Sequence, residues 1–238
     1  MDDDLLDRAL RCAHRPGVLS IEIEHSTLPA MPQPLDWWRR TPGVREPIDT
    51  EALDWVQGGY VIDAGCGTGR HLEMLARRGV RGHGVEVSPA AVSLATAAGV
   101  PCVQADVFSY HPPHPVDAVI AIGGNAGLAG TLEAFPGFLL RLSSWLNESG
   151  RIVLTCSDWS KLPPESLNGH DSPARGYPGD VRMRFRLGDE AGAWFPWLLV
   201  DTGTLEQACT SAGLRIAERK EWLGGVVHGA LIERAPSA

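Results

Sequence analysis

The sequence predicts an α/β fold built on a mostly parallel sheet with helices on both faces. Three observations predict it. From Tyr60 onward, short apolar runs alternate with helical stretches. The runs are Tyr60–Ala64, Gly82–Val87, Pro101–Gln104, Val116–Ile122 and Arg151–Cys156, and helices start near Gly69, Pro89 and Gly130. Parallel strands need a crossover between them, usually a helix, and read as near-continuous apolar runs because both faces are covered. Second, "VIDAGCGTGRHLEML" (Val61–Leu75) puts three glycines at alternate positions in the first strand-to-helix turn. Open α/β sheets bind ligands at such strand ends. Third, 238 residues suit one ordinary domain.

The flanking elements follow from periodicity. Asp2–Ala13 places Leu5, Leu6, Ala9, Leu10 and Ala13 on one helical face. "LSIEIE" (Leu19–Glu24) alternates and reads as a short strand or extended arm. A Pro-rich stretch with Trp37 and Trp38 holds a short helix, and Asp49 or Thr50 caps another through Val56. Beyond Cys156 comes a long Pro- and Gly-rich loop, a candidate lid over Ser160–Gly179. "VRMRFRLG" and "WFPWLLVD" then form an antiparallel hairpin joined by "DEAGA". A helix, Thr204–Ala212, ends at Gly213. Two closing strands, "LRIAERKE" and "VVHGALIER", complete a seven-stranded sheet. The expected organisation is one domain, 1–238. It comprises an N-terminal cap (1–58), a core (59–157), an inserted loop and hairpin (158–201) and closing elements (202–234).

Composition narrows the function. A net charge of −8 leaves no overall basic footprint for nucleic acid. No apolar run reaches membrane-spanning length. The acidic start "MDDDLLDRAL" is the opposite of a signal or transit peptide, so the expectation is a cytoplasmic protein. Cys12, Cys66, Cys102, Cys156 and Cys209 are odd in number and never form C-x-x-C, which predicts reduced thiols and no zinc site.

The glycines discriminate between ligands. A dinucleotide fingerprint wants G-x-G-x-x-G, but here Gly65, Gly67 and Gly69 are followed by Arg70. No Gly-Lys-Ser/Thr follows, which excludes a P-loop. "VIDAGCGTG" instead resembles the glycine motif of class I S-adenosylmethionine-dependent methyltransferases: an apolar strand, an acidic residue, then G-x-G-x-G entering a helix. Glu86 in "HGVEVS" and Asp106 in "CVQADVF" fall where that family places further cofactor residues. The resemblance covers Tyr60–Cys156 and implies a Rossmann-like class I methyltransferase fold with S-adenosylmethionine as cofactor. It assigns cofactor binding to Asp63, Gly65, Cys66, Gly67, Gly69, Glu86, Val87, Asp106, Val107 and Gly123. Glu86 would take the ribose hydroxyls, Asp106 the adenine amino group and Asp63 the methionyl ammonium through water.

The remaining candidates carry alternatives. "AIGGNAGLAG" puts Gly123, Gly124 and Asn125 either beside the methionyl group or in a plain Gly-rich turn. It lacks the Asn/Asp-Pro-Pro-aromatic signature of methyltransferases acting on adenine or amide nitrogen and the Pro-Cys nucleophile of cytosine-C5 enzymes, which with the acidic charge points to a small-molecule acceptor. Asp158 and His170 are candidate bases or acceptor contacts, with Asn125 as a third catalytic candidate; each also reads as a loop residue. His111 and His114 in "HPPH" read as loop residues without a metal. Arg182, Arg184 and Arg186 share one strand face, solvated in the first reading and a clamp for an anionic substrate in the second. Trp37, Trp38, Trp159, Trp194 and Trp197 are packing residues or an apolar pocket over the strand ends.

The "GGN-G-AG" turn and "WF-WL-VD" strand resemble actinobacterial methyltransferase-like proteins of specialised metabolism. The function implied is methyl transfer to an oxygen, nitrogen or carbon nucleophile. Two alternatives remain: a methyltransferase fold recruited for cyclisation, elimination or rearrangement, and a non-catalytic partner subunit. Acceptor identity and oligomeric state are not written in the sequence.

Overall fold

The computed structural model describes residues 5–11, 19–27, 29–33, 38, 47–162 and 176–236. A seven-stranded sheet forms the centre. Its strands are β3 (Tyr60–Ala64), β4 (Arg81–Glu86), β5 (Cys102–Gln104), β6 (Val116–Ala121), β7 (Leu146–Ser157), β11 (Leu214–Trp222) and β12 (Val227–Arg234), in the order β11-β12-β7-β6-β3-β4-β5. The five strands from β7 to β5 are parallel, and β12 runs antiparallel to both its neighbours. Strand order reverses between β3 and β6. In such sheets the loops leaving these two strands part and open a crevice.

Helices cover both faces: α2 (Pro47–Leu53), α3 (Arg70–Arg77), α4 (Pro89–Ala97), α5 (Phe135–Ser144) and α6 (Thr202–Ser211). One core cluster packs Phe135, Phe138, Leu139 and Leu142 of α5, with Leu205 of α6, against Ile62, Val119, Ile152 and Leu154 of the sheet. On the other face Leu53 and Leu75 pack against Val61, Ile120 and Val153. The alternation of the two clusters along β3 and β7 is the pleat at work.

Three expectations need correction. The helix placed near Gly130 begins at Phe135; Asn125–Ala129 form a 3-10 turn instead. Gly124 and Gly130 take left-side φ values of 80° and 77° at its two ends, and Pro136 fits only the first turn of the later helix. Asp49 and Thr50 do not cap α2, because Pro47 opens that helix and leaves both inside it. Asp49 is buried and turned toward α3. The last helix is capped by Asp201, whose carboxylate accepts the Thr204 N–H at 2.9 Å, so it starts two residues before Thr204.

The expected N-terminal cap and inserted hairpin merge into a second, antiparallel sheet. Its strands are β1 (Leu19–Ile23), β2 (Met31–Gln33), β8 (Asp180–Leu187), β9 (Glu190–Ala191) and β10 (Phe195–Leu198), in the order β10-β8-β1-β2 with β9 also on β8. Ile23, Val181 and Met183 turn inward. Glu22, Arg184 and Arg186 turn the other way, with Glu22 accepting from Arg184 Nε at 2.9 Å and Arg186 Nη1 at 3.1 Å. Arg182 lies 3.4 Å from Glu24. The arginine face is thus a set of cross-strand ion pairs, neither bare nor aimed at a ligand cavity.

Helix α1 (Leu5–Arg11) joins the cap to the core. Its buried Asp7 accepts from the Ser88 hydroxyl and, at 3.2 Å, from the Ala90 N–H. A carboxylate there meets the positive end of α4. Gly127 makes a second joint: a Cβ on it would lie 2.0 Å from the Trp197 indole of β10.

Candidate active site

Each glycine of the motif has its own reason. Gly65, Gly67 and Gly69 have φ of 74°, 53° and 81°, the left-handed region that side chains disfavour. A Cβ at 69 would press on Val100 at 2.7 Å, so that glycine serves packing. One at 65 would meet Leu128 and Asn125 at 2.8 and 2.9 Å. Gly67 alone of the three has room for a Cβ, in ordinary contact with the Trp38 ring at 3.5 Å, and it borders the space between them.

That space is a cavity of about 490 Å³ at the crevice between β3 and β6. Gly65–Thr68 line one side and Ile122–Asn125 another. Arg70, His71 and Asp49, Thr155 and Ser157 of β7, and Met31, Gln33, Trp38, Ile48, Leu223 and Val227 complete the lining. Its size is that of a small-molecule site.

Buried charge concentrates on one wall. His71 Nε2 lies 3.2 Å from Asp49 Oδ1, and its Nδ1 lies 3.5 Å from Asp63 Oδ2. Arg70 reaches Asp49 at 2.9 Å. Burial works against a charge on His71, but the two carboxylates outweigh it and raise its pKa to about 9. Burial also opposes charge on Asp49, yet His71 and Arg70 hold its carboxyl below the usual range. Asp63 is fully buried, and neither oxygen has a hydrogen bond among the described residues. The protonated His71 beside it is its charged partner inside the chain, and Oδ1 keeps lone pairs for a further donor. An ammonium-bearing ligand is such a donor.

The other expected residues are placed as follows. Glu86 Oε2 accepts the Gly67 N–H at 2.8 Å, and Oε1 accepts the Ser88 N–H at 2.9 Å. Burial pushes its carboxyl up against those bonds. It braces the glycine loop and retains lone pairs for further donors. Asp106 accepts the Phe108 N–H at 2.8 Å. Val107 is buried, while Val87 and Phe108 expose 69% and 41% of their surface at the ends of β4 and β5. Asp63, Gly69, Glu86, Val87, Asp106 and Val107 are not among the lining residues; Glu86 touches the glycine turn through Gly67. Gly65, Cys66, Gly67, Gly123 and Asn125 line the cavity.

Of the catalytic candidates, Asn125 is at the cavity, but its amide donates to the Ala64 and Gly65 carbonyls at 2.9 Å each. It holds the glycine turn in place. Asp158 is buried and accepts from the Ser160 N–H at 2.8 Å and hydroxyl at 2.6 Å, capping the turn Trp159–Lys161. It is not among the lining residues. His170, Trp37 and most of the expected lid lie outside the described residues. Trp159 donates to Tyr177, Trp194 lies under Arg184, and Trp197 covers Gly127; of the four described tryptophans in this set, Trp38 lines the cavity.

Sequence reasoning missed Asp49, His71 and Thr155. Thr155 Oγ1 accepts the Gly123 and Gly124 N–H groups at 2.9 and 3.0 Å, which makes that turn a backbone wall. His71 was legible in principle, one residue into the helix that follows the motif. Asp49 had no signal, since only the fold brings α2 to α3.

Comparisons agree with this geometry. Residues 61–150 match the family model described as a methyltransferase domain. A comparison with curated proteins finds no sequence match. Among solved structures, a methyltransferase of Bacteroides fragilis, in complex with S-adenosyl-L-homocysteine, is 20% identical with a TM-score of 0.79, over 98% of this chain and 96% of that one. The CcbJ methyltransferase of Streptomyces caelestis is 19% identical with a TM-score of 0.66, over 86% and 97%. A sugar N-methyltransferase of Streptoalloteichus is 19% identical with a TM-score of 0.57, over 88% and 96%. The fold is the Rossmann-like fold of class I methyltransferases. Within that fold, residues 61–150 carry the matched methyltransferase domain.

Proposed function

We propose that this protein methylates a small molecule of specialised metabolism, at a nitrogen, oxygen or carbon nucleophile. The observation that carries the reading is the cavity at the sheet's reversal point, lined by the Gly65–Gly67 turn and by His71, whose ring joins the buried Asp49 and Asp63 carboxylates. S-adenosylmethionine supplies an electrophilic methyl group on a sulfonium. Asp63 and His71 hold the amino-acid end, the Gly65–Gly67 backbone admits it closely, and Glu86 offers its remaining lone pairs to the ribose. Asp106 stands at the adenine side. Thr155 fixes the Gly123–Gly124 turn so that its backbone borders the reacting centre. Positioning of the acceptor supplies most of the rate, since a sulfonium needs little activation. The small cavity and the acidic chain favour a small acceptor over a nucleic acid. The Streptomyces and Streptoalloteichus neighbours favour specialised metabolism, and one of them is a sugar N-methyltransferase.

Calorimetry with S-adenosylmethionine tests the cofactor site. Wild type binds it. Gly67→Val loses binding, because a branched side chain in the left-handed region also fills the ligand's space. Glu86→Ala weakens binding by about 1.5–3 kcal/mol, the scale of a lost hydrogen bond to a charged group. Unchanged titrations for both variants would remove this site. Release of S-adenosylhomocysteine with amino sugars or other small amines then tests methyl transfer; binding without product from any acceptor would favour recruited, non-methylating chemistry.

A further inference from the structure

Cys66 sits inside the glycine turn and Cys102 on the edge strand β5, with β4 between them. Their sulfurs are nevertheless 3.4 Å apart. Gly84 of β4 makes this possible: its ideal Cβ would fall 2.1 Å from the Cys66 sulfur. Any other residue at 84 would occupy the thiol's place. The meeting of the two sulfurs is a property of three positions, on or beside three adjacent strands.

We propose that Cys66 and Cys102 form an oxidation site, converted by hydroperoxides to a disulfide that distorts the cofactor turn. The coupling to cofactor rests on the reading of the cavity given above; the disulfide does not. Cys102 is only half-buried at the sheet edge, where a small peroxide reaches it, whereas Cys66 is buried. The hydrogen bond between the thiols raises Cys66, which burial raises further, and lowers Cys102. The thiolate therefore forms on the accessible sulfur. It attacks one peroxide oxygen; the O–O bond breaks, hydroxide leaves, and Cys102 becomes a sulfenic acid. That hydroxide takes the Cys66 proton. The Cys66 thiolate attacks the Cys102 sulfur, the S–S bond forms and the S–O bond breaks. The second hydroxide takes the proton that Cys102 first released. Two thiols lose two electrons, and one hydrogen peroxide becomes two waters.

The sulfurs must close from 3.4 Å to about 2.05 Å. The two sulfurs together move by more than an ångström in that step, and the bond then ties Cys66 to β5. Cys66 lies between Gly65 and Gly67, and the Gly67 amide is held by Glu86. Oxidation thus deforms the wall that the cofactor touches.

Purified full-length protein is treated with equimolar hydrogen peroxide, its remaining thiols are alkylated, and the digest is mapped by mass spectrometry. The expected product is a peptide pair joined through Cys66 and Cys102. Affinity for S-adenosylhomocysteine falls at least tenfold and returns with dithiothreitol. Cys102→Ser keeps the reduced affinity and loses the peroxide response. Absence of the Cys66–Cys102 link, with Cys102 trapped as sulfenic or sulfinic acid, would overturn the site. A link that leaves affinity unchanged would overturn its effect on the cofactor. Failure of the reduced wild type to bind S-adenosylhomocysteine would instead count against the functional reading, with the disulfide still decided by the map.

Discussion

In the central sheet β3 pairs with β4 after a single helical crossover, Tyr60 opposite Arg81 and Ala64 opposite Val85. In the antiparallel sheet β1 pairs with β8, and Glu22 meets Arg184 across 162 positions. The first pairing lies in a sheet covered on both faces, with Val61, Ile62, Ala64 and Val85 fully buried. The second has one buried face and one charged face, so its charges help to set its register. A slip of one residue would turn Arg182, Arg184 and Arg186 toward Ile23, Val181 and Met183. Local pairings with covered faces carry the glycine turn that lines the cavity. A long-range, half-exposed sheet beside it contributes Met31 and Gln33 to the cavity lining.

The joint between the two sheets carries the largest expected effect. Gly127→Ala puts a methyl group 2.0 Å from the Trp197 ring, which has the core on one side and the cap on the other. Overpacking of this kind costs about 3 kcal/mol and lowers Tm by roughly 6–12 °C for a chain of this size. Calorimetric melting checks it. If Gly127→Ala melts like wild type, the two sheets are not packed as one unit.

The next effect belongs to the core alone. His71, with its pKa raised to about 9, binds a proton more tightly folded than unfolded. Its contribution to stability is full below pH 6.5, its ordinary value, and is lost as pH rises through 9. The buried Cys209 thiol, raised to about 12, adds a loss of the same sign in more alkaline solution. The comparison is therefore with His71→Gln: its stability should fall less than that of wild type between pH 6.5 and 9. Equal slopes in urea titrations across that window would mean that His71 is neutral in the fold.

How much was legible in the sequence follows the same division. The core strands were placed to within a residue or two, apart from the early start of β7 at Leu146, because apolar periodicity is local. The glycine turn was legible because its backbone demands are written in residue type. The cap was read in pieces. "LSIEIE" and "VRMRFRLG" each gave a strand, but nothing in either names the other as partner. Asp49 was invisible for a related reason: its burial against His71 and Arg70 is made by helix packing, not by spacing. Asp158 misled because a carboxylate after a strand end looks the same whether it faces a ligand or caps the next turn.

The smallest effects separate the arginines of β8. Arg184 contacts Glu22 through two nitrogens, at 2.9 and 3.1 Å, and its guanidinium lies 4.3 Å from the Trp194 ring centre. Its side chain is 23% exposed. Arg184, with Arg186, holds the Glu22 carboxyl below its usual range. Arg182 makes one 3.4 Å contact to Glu24 and is 53% exposed. Solvent screens such a pair, so Arg182→Gln should change stability by no more than about 0.5 kcal/mol. Arg184→Gln loses a two-point pair and a stacked ring together, and should cost about 1 kcal/mol. Urea midpoints resolve the difference. Because none of the three arginines lines the cavity, the Michaelis constant for the acceptor should hold in both variants. A tenfold rise for either one, with cofactor affinity intact, would restore the anion clamp and make the cap sheet part of the substrate site.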